Sequence, residues 1–147
     1  MASISFHHIA LNCKDMAATE RFYARHFGFE RARVIPLDGT QIVFLKSGDA
    51  YLELFQAKGD SVAQTNDGPV QQGLRHIAFR VADVDAKVAA MGSDAKVTFG
   101  PFGFDAFIPG WRTAWLADPD GNIVEVSQGF QDEAVPAMAA ATANGKH

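Results

Sequence analysis

The stretch LRHIAF at residues 74–79 decides how the rest of this chain is interpreted, because the chain contains a close copy of it. The earlier copy is FHHIAL at residues 6–11. Both share His-Ile-Ala followed by a large apolar residue, and the shared histidines are His8 and His76. A motif that recurs at long range within one chain indicates an internal repeat.

A second pair of motifs supports the duplication. LELFQ at residues 52–56 follows the first copy, and VEVSQ at residues 124–128 follows the second. Each has a glutamate as its second residue, Glu53 or Glu125, between two apolar residues of a strand-like run. The chain is therefore predicted to consist of two copies of one structural unit.

The composition is that of a globular chain with an ordinary core. Of its 147 residues 48% are hydrophobic, and the net charge of −4 leaves no cluster of basic residues typical of a nucleic-acid surface. There is no basic leader followed by an apolar run, and no apolar stretch nears the ~18 residues that span a bilayer. A single cysteine, Cys13, excludes an internal disulfide framework. We expect a cytoplasmic protein without membrane or nucleic-acid partners.

Each unit is predicted to have the order βαβββ. The strand that holds His8 precedes an amphipathic helix, which Asp15 caps and Gly28 ends. Three short strands separated by turn residues follow. In the second unit Asp83 caps the helix and Gly92 follows its end. A strand is then predicted over residues 97–100, followed by a long loop over 101–110. The same sequence signals thus recur in both halves.

These units make up one predicted domain, residues 4–128, of the α+β class. Module 1 is predicted over residues 4–57, a polar linker over 58–72 and module 2 over 73–128, with a C-terminal tail at 129–147. The two modules are predicted to form a curved, cup-like mixed sheet with the helices on its convex face.

Alternation along the strands predicts where the repeated polar residues point. Each histidine precedes an isoleucine, and each glutamate lies between two apolar residues. If the apolar residues face the helices, the four polar side chains share the opposite, concave face. Two imidazoles and two carboxylates form a suitable ligand set for a divalent metal. The predicted ligands are His8, Glu53, His76 and Glu125. His7 is predicted to point to the other face, and His26 to lie on the helix surface.

Together these motifs resemble the vicinal oxygen chelate superfamily, the glyoxalase, bleomycin-resistance and extradiol-dioxygenase group. Its members pair two βαβββ modules around a metal. The resemblance spans about residues 5–128 and includes FGF at 27–29 and DPDGN at 118–122. It implies the same four metal ligands, a divalent ion (Ni, Co, Zn, Mn or Fe), a small-molecule substrate and a homodimer.

The His-Glu-His-Glu set is most similar to that of bacterial glyoxalase I. The resemblance implies a lyase or isomerase that acts through a metal-stabilised enediolate on a 2-oxoaldehyde adduct or an α-hydroxycarbonyl compound. Glu125 is the first candidate base and Glu53 the second. Glutathione-using members tend to carry Arg and Asn at the places where this chain has Asn12 and Ala57. The glutathione clamp therefore does not match.

Other side chains are candidates for substrate binding. An arginine beside the cup could bind an anionic group with two hydrogen bonds, although it could equally be a solvated surface side chain. The aromatic loop of module 2 could be an apolar lid or a dimer contact. The predicted substrate-binding residues are Asn12, Arg80, Phe104, Trp111 and Arg112.

Two alternatives remain open within the resemblance. The first is another enzyme of the superfamily, either an acyl-CoA epimerase, which usually has Gln in place of Glu53, or an extradiol dioxygenase, which uses two His and one Glu. The second is a metal-free binding protein of the bleomycin-resistance type. Metal content distinguishes the binding protein from the enzymes.

Overall fold

The computed structural model describes residues 3–61, 69 and 72–134. Its first half is one βαβββ unit, as the sequence predicts. The elements are β1 (His8–Cys13), α1 (Met16–Phe27), β2 (Glu30–Leu37), β3 (Thr40–Ser47) and β4 (Ala50–Gln56).

The second half repeats this order, with one short 3-10 helix added after its α-helix. Its elements are β5 (Ile77–Arg80), α2 (Val84–Met91), the 3-10 helix Gly92–Asp94, β6 (Lys96–Gly103), β7 (Arg112–Ala117) and β8 (Ile123–Gln128). Neither α-helix in the described ranges is long and apolar enough to span a bilayer.

The strands form two four-stranded sheets with equivalent topology. Their orders are β1-β4-β3-β2 and β5-β8-β7-β6. In each sheet the first strand pairs in parallel with the last, and the other pairs are antiparallel. The predicted α+β fold of two βαβββ modules is confirmed. Within the described residues each module forms its own sheet.

Both helices begin and end at the predicted signals. The Asp15 carboxylate accepts from the Ala18 backbone N–H at 3.1 Å, and Asp83 accepts from Ala86 at 2.9 Å. Gly28 ends α1 in the left-handed region, with φ 69°. A side-chain cap satisfies a backbone donor that the first turn of a helix otherwise leaves free.

One apolar core joins both modules and both helices. Every second residue of β1, β4, β7 and β8 points into it, as the alternation predicted. The ring of Phe27 on α1 stacks on Phe79 of β5, with centroids 4.3 Å apart. The buried members are Leu11, Cys13, Phe22, Tyr23, Phe29, Val43, Leu45, Leu52, Leu54, Val84, Met91, Ala114, Leu116, Val124 and Val126.

The turn between β7 and β8 fastens module 2 to α1. Asp118 is buried and accepts hydrogen bonds from the Tyr23 hydroxyl at 2.7 Å and from the Asn122 amide at 2.9 Å. Burial raises the pKa of Asp118, while these donors act in the opposite direction. Asp120 accepts from the Thr19 hydroxyl at 2.6 Å. The turn is thus part of the interface between the modules.

His26 departs from the sequence prediction, which placed it on the helix surface. Its side chain is buried, and Nε2 lies 2.8 Å from a carboxylate oxygen of Asp94. This contact lowers the pKa of Asp94. The prediction was wrong because α1 packs against the second module as well as against its own sheet.

Strand β6 is longer than predicted. The sequence reading ended it at Gly100 and began a loop at Pro101, whereas the strand continues to Gly103. An edge strand tolerates proline, and β6 is at the edge of its sheet with two register shifts. Gly100 has φ 76°, and a Cβ there would lie 2.7 Å from the Thr113 carbonyl oxygen. Only glycine fits this close approach.

The predicted linker at 58–72 and the tail at 129–147 lie mostly outside the described residues. In the linker only residues 58–61, 69 and 72 are described, and in the tail only 129–134. The predicted module boundaries therefore stay predictions.

Candidate functional site

Module 1 brings one imidazole and one carboxylate together. His8 opens β1, and Glu53 lies on the adjacent parallel strand β4, beside Ala10. Both side chains project from the face opposite the core. His8 Nε2 is 3.0 Å from Glu53 Oε2, and the side chains are 36% and 16% exposed.

Module 2 repeats the pair in a more enclosed setting. His76 directly precedes β5, and Glu125 lies on β8 beside Ala78. His76 Nε2 is 2.7 Å from Glu125 Oε2, and the side chains are 24% and 12% exposed. The predicted equivalence of the two His-Glu positions thus appears as two equivalent contacts.

The spacing within each pair is compatible with a shared metal ion. Two ligand atoms that bind one ion at about 2.1 Å and at a right angle lie about 3.0 Å apart. The observed separations of 3.0 and 2.7 Å are near this value. Neutral imidazole and carboxylate are also ligands that first-row divalent metals accept. The residues present therefore fit a divalent cation.

Within the described chain the four predicted ligands form two separate His-Glu pairs. Among the described residues, no three His, Cys, Asp or Glu side chains are close enough to hold one ion. The two pairs belong to separate sheets. Their union around one cation stays a prediction, which needs a further contact between the two sheet faces.

The surroundings of the two glutamates differ. Thr113 donates its hydroxyl to Glu125 Oε1 at 2.7 Å, and both residues are buried. In the described part of the chain Glu53 has no corresponding second hydrogen bond. The sequence reasoning missed Thr113, because a threonine in a strand carries no signal until the register of β7 and β8 is known.

His7 is a second residue that the sequence reasoning set aside. Its Nδ1 lies 2.8 Å from Nδ1 of His8, and its ring stacks on Tyr51 with centroids 4.8 Å apart. In module 2 the corresponding ring nitrogen, His76 Nδ1, is buried and has no hydrogen-bond partner among the described residues. The two predicted ligand histidines therefore differ on the side that faces away from the glutamate.

A comparison with known families decides how this arrangement is classified. The profile of the Glyoxalase/Bleomycin resistance protein/Dioxygenase superfamily matches residues 5–126. The chain belongs to this superfamily. The match includes all four predicted ligand positions and both modules, so the resemblance found in the sequence is confirmed.

Relatives within the superfamily are similar over most of their length. The uncharacterized protein YwkD of Bacillus subtilis (strain 168) is 30% identical over 119 residues, 79% of this chain and 90% of that protein. A glyoxalase family protein from Enterococcus faecalis is 28% identical with a TM-score of 0.68, covering 86% and 99% of the two chains. Lactoylglutathione lyase from Agrobacterium tumefaciens is 31% identical with a TM-score of 0.56, covering 85% and 93%. The superfamily thus includes enzymes.

The predicted polar substrate contacts lie in different places. Arg112 makes two hydrogen bonds to Asp85 of α2, at 2.6 and 2.9 Å, which raise the pKa of the guanidinium and lower that of the carboxyl. Arg80 is exposed on the same side of β5 as Ala78 and makes no ion pair within the described residues. Asn12 is exposed and lines an open cleft beside the β7–β8 turn. Their roles in substrate binding stay predictions.

The predicted aromatic contacts belong to a continuous group beside His76. Trp115 contacts the His76 ring at 5.5 Å and the Phe99 ring at 4.9 Å. Trp111 contacts Phe104 at 5.2 Å. We call this group the aromatic wall, and its members are Phe99, Phe102, Phe104, Phe107, Trp111 and Trp115.

Cys13 contributes nothing to the site. Its side chain is fully buried in the core, and burial raises the pKa of the thiol to about 12. A thiol that stays protonated at neutral pH is a poor nucleophile and a poor metal ligand.

Proposed function

We propose that this protein is a divalent-metal-dependent enzyme of the superfamily, a lyase or isomerase that resembles glyoxalase I. The observation that carries the proposal is the pair of equivalent His-Glu contacts, at 3.0 and 2.7 Å, on the face of each module opposite the core. Similarity to the lactoylglutathione lyase, at 31% identity, supports the same reaction class.

A symmetric homodimer would complete the ligand set. One chain holds its two pairs on separate sheets, so the His8–Glu53 pair of one copy would meet the His76–Glu125 pair of the other. Two-fold symmetry makes each such contact twice, which yields two equivalent sites per dimer. These four residues would hold the ion. When bound, the ion supplies positive charge that stabilises negative oxygens on the substrate.

Glu125 is the better-placed base of the two glutamates. Its carboxylate is fixed at both oxygens, by His76 on one side and Thr113 on the other. It would remove a proton from the carbon next to a substrate carbonyl, and the electron pair of that C–H bond would pass into the carbonyl. Glu53 has only its contact with His8 among the described residues, so it would serve as a ligand.

The substrate would carry an apolar or aromatic group next to the reacting oxygens. The aromatic wall begins at Trp115, in ring contact with His76, and three of its phenylalanines are exposed: Phe99, Phe102 and Phe107. Burial of apolar substrate surface against such rings is favourable. Arg80 would be available for an anionic group on the same substrate.

The test is a substrate screen of the full-length protein loaded separately with Ni²⁺, Co²⁺ or Zn²⁺. The substrates are hemithioacetals of methylglyoxal and phenylglyoxal with several thiols, together with acyl-CoA thioesters and catechols. We expect turnover of at least one hemithioacetal, loss of turnover with a chelator and recovery on adding metal. A protein that purifies without metal, and whose melting temperature does not respond to added metal, would contradict the proposal and favour a binding protein.

A further inference from the structure

We infer that Thr113 is the residue that positions Glu125, so that one glutamate is prepared for proton transfer and the other is not. The inference rests on the proposed role of Glu125 as ligand and base. It starts from the hydrogen bond between the Thr113 hydroxyl and Glu125 Oε1, which is 2.7 Å long.

The burial of both residues helps this hydrogen bond to fix the orientation of the Glu125 carboxylate. Thr113 is 2% exposed and Glu125 is 9% exposed, so little water competes for either group. A hydrogen bond to a charged acceptor in such surroundings holds the acceptor in one orientation. With Oε1 bound to Thr113, the other oxygen, Oε2, is the one directed at His76 Nε2.

Thr113 also has a second acceptor for its single hydrogen. The carbonyl oxygen of Val126 lies 3.2 Å from the same hydroxyl oxygen. A hydroxyl can donate one hydrogen bond and accept two, and its hydrogen rotates to suit the partners. The hydroxyl can therefore turn from Glu125 to Val126 without losing a hydrogen bond.

This second acceptor suits a glutamate that takes up a proton during the reaction. The substrate C–H bond breaks, its electron pair stays on the substrate, and the proton forms an O–H bond at Glu125 Oε1. That O–H then donates to Thr113 Oγ1, while the Thr113 hydroxyl donates to Val126 O. Glu125 stays oriented in both states because the hydrogen bond reverses instead of breaking.

Module 1 has no hydroxyl group at the position equivalent to Thr113. Phe44 pairs with Glu53 in β3–β4 as Trp115 pairs with Glu125 in β7–β8. Two residues before each aromatic partner, on the same face, are Ile42 and Thr113. An isoleucine side chain cannot donate a hydrogen bond, so Ile42 cannot orient Glu53 as Thr113 orients Glu125.

The decisive variant is Thr113→Val, which removes the hydroxyl and keeps the shape. The first readout is Co²⁺ affinity, measured by competition with a chelator, together with the visible spectrum of the bound Co²⁺. Loss of a group that orients a ligand lowers metal affinity by roughly 10–100-fold. We expect a loss in that range and an altered spectrum for Thr113→Val, and no change for the matched control Ile42→Val.

The second readout is kcat at saturating metal, which we expect to fall more than KM changes. If Thr113→Val does not fold, Thr113→Ser and Thr113→Ala make the same comparison. Both lose the methyl group, but only the serine keeps the hydroxyl, so the serine variant should bind Co²⁺ nearly as the unmodified protein does.

Failure of the Thr113 role and failure of the proposed function would give different results. If the unmodified protein binds Co²⁺ and Thr113→Val binds it equally well with the same spectrum, the positioning role is overturned while the proposed function stands. If the unmodified protein binds no Co²⁺, the proposed function itself fails.

Discussion

The two modules share one plan and differ in what surrounds their ligand pairs. The pair in module 1 is more open, with His8 36% exposed, and Ile42 occupies the position equivalent to Thr113. The pair in module 2 is more enclosed, with His76 24% exposed, and its glutamate is held by Thr113. Duplication supplies equivalent His-Glu pairs, and the difference between their neighbours supports the proposal that module 1 contributes ligands and module 2 also contributes the base.

The aromatic wall shows the same difference on a larger scale. In module 2, six aromatic rings extend from His76 over β7, β6 and the loop between these two strands. In module 1, the ring contacts of His8 are with His7 and Phe44 among the described residues. An apolar substrate group would therefore be recognised by module 2.

The largest expected effect is a difference in kcat between variants of the two glutamates. Glu125→Gln should lower kcat by roughly 10²–10⁴ at saturating metal, because it removes the base. Glu53→Gln should mainly weaken metal affinity and lower kcat less. Steady-state kinetics with metal titration measure both. An equal loss of kcat in the two variants, with metal saturating in each, would break the proposed division of roles.

The second largest expected effect is on stability, and it concerns the hydrogen bonds between the β7–β8 turn and α1. Asp118→Ala leaves the buried Tyr23 hydroxyl without its acceptor. Because an unsatisfied buried donor costs about 1–3 kcal/mol and the turn loses further bonds, we expect a loss of about 2–4 kcal/mol in the free energy of unfolding. Urea denaturation measures it.

The control for Asp118 is the corresponding hairpin turn of module 1. Asp49 is exposed there, and Asp49→Ala should change the free energy of unfolding by less than about 0.5 kcal/mol. Comparable losses in both variants would show that the β7–β8 turn has no special role between the modules.

A smaller effect is expected at His7. If His8 Nε2 binds metal, His8 Nδ1 carries the hydrogen and donates it to His7 Nδ1. His7→Phe keeps a ring to stack on Tyr51 but loses this acceptor, so Co²⁺ affinity should fall about tenfold. The chelator competition assay tests this. An unchanged Co²⁺ affinity would contradict a role in metal binding for the hydrogen bond between the two imidazoles.

The smallest effect concerns an ion pair that only module 2 has. Hydrogen bonds from Arg112 lower the pKa of Asp85, and the equivalent places in module 1 are Gln41 and Ala17. A lowered pKa in the folded protein stabilises it above the ordinary Asp pKa of about 3.9 and loses this effect as the pH falls through the lowered value.

Asp85→Asn should therefore have a slightly lower urea midpoint than the unmodified protein at pH 7, and the two midpoints should converge in acid. The pair is exposed, and exposed pairs contribute little to stability. If the two urea midpoints still differ in acid, the difference has a cause other than the charge pair between Asp85 and Arg112.

Much of the local structure was predictable because it depends on neighbouring residues. The caps Asp15 and Asp83 bond within their own helices, and Gly28 ends α1 where it was expected. The end of β6 was missed, because Pro101 is compatible with a strand only at a sheet edge. Whether a strand lies at an edge is decided by the other strands.

The sequence by itself determined two βαβββ modules and the equivalent places of their histidines and glutamates, because repeat order and strand alternation are encoded residue by residue. Tertiary structure alone decided that each histidine contacts the glutamate of its own module, that Thr113 holds Glu125 and that His26 is buried against Asp94. It also brings the two His-Glu pairs into no common cluster among the described residues. These contacts depend on the register between strands and on how α1 packs against the other module. Residues far apart in the chain decide both, so no local pattern reveals them.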